Sequence, residues 1–221
     1  MDEAQSNQGP GRTTEISVED LRAAPRFTLL IRSAKLICDH GEYLCIIRDV
    51  SASGVRLRTF HPLPQIPAFT LELSSGERFE LERVWEGGDH AGFRFADWID
   101  VQDFIAEASP YPKRALRLRI EFPATLEVDG KSAEARIRDL SREGARIETD
   151  LPLAIRQKLR ISAKGFPSLT GSVTWRSATA YGLVFQQVFT FDELAKLAAQ
   201  LQPVNRPLEA PQASVVTRRI A

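Results

Sequence analysis

The sequence predicts a mainly β protein made of two tandem six-stranded barrels, each followed by one helix. Three observations carry this. The string Arg48-Asp49-Val50-Ser51-Ala52-Ser53-Gly54-Val55-Arg56 returns as Arg138-Asp139-Leu140-Ser141-Arg142-Glu143-Gly144-Ala145-Arg146, 90 positions later. The same offset maps Trp85 onto Trp175, Gly92 onto Gly182 and Phe95 onto Phe185, so a whole module is duplicated. Between these landmarks run short segments rich in β-branched and aromatic residues, punctuated by Gly, Pro and Ser, which is the pattern of small β domains. A chain of 221 residues holds two such units of about 90 residues each.

Residues 1–17 are polar and almost free of apolar side chains, and are expected to be a disordered tail. The first module, residues 18–108, reads as strands at 28–38, 42–50, 54–59, 69–73, 77–85 and 91–95. A helix follows, its stripe formed by Val101, Phe104, Ile105 and Ala108. Residues 109–112, Ser-Pro-Tyr-Pro, form a stiff linker because proline blocks helix continuation. The second module, residues 113–202, reads as strands at 118–128, 131–140, 145–149, 158–163, 169–175 and 181–185, with Asp129-Gly130 turning the first hairpin. Thr190 and Glu193 are spaced as a capping box for a helix whose stripe is Leu194, Leu197, Ala198 and Leu201. Residues 203–221, with three prolines, are expected to be a flexible tail.

Lys plus Arg balance Asp plus Glu at 29 each, so no large positive field draws polyanions, and DNA and RNA are not expected partners. The chain shows neither an apolar run long enough to span a bilayer nor a signal pattern, which predicts a cytoplasmic protein. Cys38 and Cys45 flank a turn at 40–42; they could face each other across a hairpin, but a cytoplasmic setting favours reduced thiols. Cys38, His40 and Cys45 fall short of a four-ligand zinc set, so no metal is expected. No glycine-rich phosphate loop, H-E-x-x-H motif or repeated histidine points to an enzyme.

The polar residues kept by both copies are the informative ones. Strand alternation puts Asp49 and Ser51 on one face and Val50 on the other, as it does Asp139, Ser141 and Leu140. The apolar residue goes inward, which leaves a carboxylate and a hydroxyl on the outer wall; Arg56 and Arg146 also point outward. Gly54 and Gly144 allow a bulge or a positive φ. Such a motif alone would be a self-capped turn. Each copy, however, follows a basic cluster: Arg22 and Arg26 before Asp49, and Lys113, Arg114 and Arg117 before Asp139. Guanidinium groups match phosphate oxygens and the O6/N7 edge of guanine, and a carboxylate accepts from guanine's N1–H and N2 amine.

R-x-x-x-R ahead of D-x-S-x-x-G, a tryptophan on a late strand, a Gly-x-x-Phe strand and a closing helix resemble the PilZ domain, over roughly 20–107 and 113–202. The resemblance implies six-stranded antiparallel barrels whose arginine-bearing loop folds over cyclic di-GMP, with no other cofactor. It implies a first site of Arg22, Arg26, Asp49, Ser51 and Gly54. A second site would comprise Lys113, Arg114, Arg117, Asp139, Ser141 and Gly144. Lys113 stands where the motif wants arginine and lacks the planar two-point contact, which ranks the first site above the second. The expected function is a cyclic di-GMP receptor that relays the signal, through loop ordering and inter-domain reorientation, to a protein partner in motility, secretion or exopolysaccharide production. The alternative is a nucleotide-independent adaptor with one or both sites degenerate.

Overall fold

The computed structural model describes residues 27–106 and 115–202. The expected N-terminal tail, linker and C-terminal tail lie outside them, as do Arg22, Arg26, Lys113, Arg114 and Ala108. The chain forms two closed antiparallel barrels. The first comprises β1 (Phe27–Cys38), β2 (Gly41–Ser51), β3 (Gly54–Arg58), β4 (Ala68–Glu72), β5 (Arg78–Gly87) and β6 (His90–Phe95), hydrogen-bonded in the order β1-β2-β3-β6-β5-β4, with β1 pairing β4 to close it. The short helix α1 (Val101–Ala106) follows. The second comprises β7 (Phe122–Val128), β8 (Lys131–Leu140), β9 (Gly144–Glu148), β10 (Lys158–Ala163), β11 (Phe166–Ser177) and β12 (Ala180–Phe185), closed by β10 on β7, and ends in α2 (Phe191–Leu201). The strand order repeats, so the duplication read from the sequence is a duplication of topology. Among the described residues no helix is long and apolar enough to cross a membrane.

Alternation builds each wall. Along β7, Phe122, Ala124, Leu126 and Val128 are buried while the intervening residues are exposed. Phenylalanines cluster in each barrel: Phe79, Phe95 and Phe104 meet edge-on in the first, and in the second Phe185 meets Phe189 edge-on while Phe166 packs tilted against both. Arg32 donates to the Phe104 and Ile105 carbonyls, satisfying the end of α1. The capping box of α2 is present: Glu193 N–H donates to the Thr190 hydroxyl and the Thr190 N–H to the Glu193 carboxylate, an arrangement worth about 1 kcal/mol. Asp129 (φ 50°) and Gly130 (φ 76°) make the left-handed pair that a two-residue hairpin requires. The cysteines do not face each other, because Cys45 pairs with Ala34 and Cys38 with Gly41; both are free thiols, and burial pushes that of Cys45 well above its ordinary pKa.

Strand β7 begins at Phe122, not at 118 as expected. The reason is a contact with the first barrel. Leu118 forms a two-way bridge with Leu140, its N–H and C=O both bonded to β8. The backbone groups of its neighbours turn the other way. The Arg117 carbonyl accepts from Lys35 Nζ at 3.1 Å, and Arg119 N–H donates to Glu42 at 2.9 Å. Lys35 and Glu42 lie 2.9 Å apart and are almost fully buried, at 5% and 3% exposure. Gln202, just beyond α2, completes the junction: its side-chain amide accepts from Glu42 N–H and donates to the Glu42 carbonyl. Gly41 (φ 142°) admits this approach, since a Cβ there would overlap the Gln202 amide. Leu44, from β2, packs into the core of the second barrel.

Lys35 also pairs with Glu72 at 2.9 Å. Burial would raise the Glu72 carboxyl, but Lys35 and Arg78 outweigh it and hold its pKa below the ordinary glutamate range. A carboxylate whose folded pKa is depressed stabilises the fold above its unfolded pKa and loses that contribution as pH falls through the folded value. Denaturation midpoints should therefore drop as pH falls below the ordinary glutamate pKa of about 4.3, and Glu72→Gln should show a shallower drop than the parent.

Candidate ligand site

The repeated string sits at the β2–β3 turn of the first barrel and the β8–β9 turn of the second. Val50 and Leu140 point into their cores, at 1% and 0% exposure, as alternation requires. The bulge expected at the glycines lies earlier: the register slips between Ile47 and Asp49, and again between Ile137 and Asp139, leaving Arg48 and Arg138 as the extra residues. This re-aims the two aspartates so that each lies directly opposite an arginine, Asp49 across from Arg56 and Asp139 across from Arg146.

Gly54 and Gly144 do not adopt positive φ, contrary to expectation. They are glycine for lack of room. A Cβ on Gly54 would come within 2.7 Å of the Phe93 carbonyl oxygen, and one on Gly144 would come closer still to that of Leu183. The serines also differ from expectation. Both are buried, at 8% and 2% exposure, and their hydroxyls donate to the Gly54 and Gly144 carbonyls at 3.3 and 3.0 Å. In this structure they close their own turns, while the aspartates carry the outward-facing chemistry.

In the second barrel the basic segment meets the wall. Arg117 Nη1 donates to Asp139 Oδ1 at 2.7 Å, with the guanidinium half exposed and the carboxylate largely sheltered. Arg146 lies 3.8 Å from Glu148. In the first barrel Arg56 Nε is 2.5 Å from Asp49 Oδ2. The backbone bridge formed by Leu118 to Leu140 has its counterpart in Phe27 opposite Val50. Phe27 and Leu118 are thus equivalent, one residue out of step with the 90-position offset.

Trp85 and Trp175, the repeated tryptophans, lie on the outer surface at 46% and 41% exposure. A bulge at Val84 and one at Thr174 turn them outward. Each indole lies over a glycine, Trp85 over Gly92 and Trp175 over Gly182, where any Cβ would overlap the ring. Together with Asp49, Arg56 and Gly54, Trp85 and Gly92 line a 290 Å³ cleft on the first barrel. An exposed indole face beside a carboxylate and a guanidinium suits a planar, hydrogen-bonding ligand such as a purine. The sequence reading missed Trp85 in this role; its signal was the matching offset of Trp85 and Gly92, which marks the pair as repeated together.

Residues 112–202 match the family model of the PilZ domain. No curated protein matches the chain. Among solved structures, the Borreliella burgdorferi PlzA protein in complex with c-di-GMP is 12% identical, with 78% of this chain and 88% of that one covered and a TM-score of 0.33. The K. pneumonia MrkH–c-di-GMP complex is 14% identical, covering 82% and 87%, with a TM-score of 0.31. YcgR from Escherichia coli in complex with c-di-GMP is 11% identical, covering 76% and 81%, with a TM-score of 0.30. MrkH is also described as a c-di-GMP-dependent transcription regulatory factor.

Proposed function

We propose that the chain, which folds as two β-barrels and matches the PilZ domain over residues 112–202, is a receptor and not an enzyme, and that it binds cyclic di-GMP and relays the nucleotide's level to a protein partner. The observation that carries this reading is the Arg117–Asp139 pair in the barrel that matches the family model. An arginine ahead of the barrel and a carboxylate on its wall supply the phosphate-matching and guanine-matching groups at one place. By the equivalence of Phe27 and Leu118, Arg26 takes the sequence place of Arg117 in the first barrel, and Arg22 that of Lys113. The proposed second site is Lys113, Arg114, Arg117, Asp139, Ser141 and Gly144, with the serine and glycine shaping the turn that aims Asp139. The proposed first site is Arg22, Arg26, Asp49, Ser51 and Gly54, with Trp85 as a stacking surface.

The relay follows from exchange of partners. Nucleotide entering the second site replaces the Arg117–Asp139 pair with contacts to itself and draws Lys113 and Arg114, which precede Arg117, onto the ligand. The arrangement of the barrels can shift only as far as the ligand's differential affinity for the two arrangements allows. Tryptophan fluorescence tests binding directly, because Trp85 and Trp175 flank the two turns. Saturable quenching by cyclic di-GMP, absent with GMP, is expected; no spectral change at any concentration would contradict the reading.

A further inference from the structure

We propose that Lys35 and Glu42, both on the first barrel, are positioning residues for the arginine that the second barrel offers to its ligand. This rests on the reading of the second barrel as a nucleotide site. An ammonium group has three donors, and the Lys35 ammonium has three acceptors: Glu42 at 2.9 Å, Glu72 at 2.9 Å and the Arg117 carbonyl at 3.1 Å. One of its three bonds is thus spent on the backbone of the residue whose side chain reaches Asp139. Glu42 holds the next outward-facing backbone group, the Arg119 N–H. Leu118, between them, is bonded to Leu140.

Residues 117–119 are therefore an extended strip gripped on both edges, by β8 of their own barrel and by a buried ion pair of the other. The grip fixes the backbone from which the Arg117 side chain departs. A ligand-contacting group is only as well placed as the residues that hold it. At the equivalent place of the first barrel, Phe27 and Thr28 pair directly with Val50 and Asp49 of β2 before the register slips between Thr28 and Arg32. The second site is thus built from both barrels, and Gln202 fastens the Glu42 backbone that the grip depends on. Coupling of this kind is reciprocal: nucleotide at the second site must tighten the junction by the factor by which the junction tightens nucleotide.

The test uses the full chain in an Asp49→Ala background, which removes the wall carboxylate of the first site, with cyclic di-GMP titrated by calorimetry. Lys35→Met should weaken binding at least fivefold, and Lys35→Arg, which keeps a buried cation, should recover most of it. Equal affinity in the parent and Lys35→Met overturns the proposal while leaving the receptor reading intact. Absence of binding in both the wild type and the parent removes the receptor reading and this proposal together. Hydrogen exchange on the wild-type chain gives a second readout that needs no variant. Saturating nucleotide should slow exchange at the Glu42 and Arg119 amides, whereas unchanged rates despite calorimetric binding would overturn the proposal.

Discussion

Arg117→Ala should weaken cyclic di-GMP binding at the second barrel by about 10- to 100-fold, the effect of removing a hydrogen bond to a charged group worth roughly 1.5–3 kcal/mol. The loss should appear in affinity with little change in stability. Arg117 and Asp139 form a surface pair, the guanidinium 53% exposed, and such pairs contribute about 0–1 kcal/mol to folding. Arg117→Lys should fall between wild type and alanine, because an ammonium keeps the charge but not the planar fork. Asp139→Ala should also reduce affinity, and the double variant should lose less than the sum of the singles, since the two groups act on each other and on one ligand. Titrations of the four proteins, with thermal melts alongside, check each point.

The second large effect concerns the turn that aims the carboxylate. Gly144→Ala should destabilise the second barrel by about 3 kcal/mol, because the new methyl meets a backbone carbonyl of β12 and not a side chain able to swing away. For a unit of this size that is a fall in melting temperature of roughly 12–24 °C. Gly54→Ala, with 2.7 Å available to the Phe93 carbonyl, should cost less in the first barrel. The pair separates two accounts of these glycines. If positive φ were the requirement, alanine would be equally poor at both; if room is, the tighter position suffers more.

The β framework was open to sequence reasoning because barrel walls alternate. Phe122 to Val128 announces its register residue by residue, and the Thr190–Glu193 box announces the start of α2. What escaped was anything built between the barrels. In Tyr43-Leu44-Cys45-Ile46-Ile47 the alternation fails, and the physical reason is that this strand is covered on both faces, with Leu44 buried in the neighbouring barrel's core. Lys35, on the face opposite Ala34 and Leu36, is buried for the same reason. At the candidate site, the meeting of Arg117 with Asp139 on the barrel wall followed from residue type and spacing. The roles of Gly144, Ser141 and Trp85 did not, since they depend on which atom of a distant strand lies opposite, and spacing along the chain does not record that.

Calorimetric titration of the 221-residue chain with cyclic di-GMP is the most direct test of the central claim. The expected result is saturable heat that is lost when Arg26 and Arg117 are both replaced by alanine. No saturable heat from the folded wild-type protein, or heat unchanged in that double variant, would contradict it.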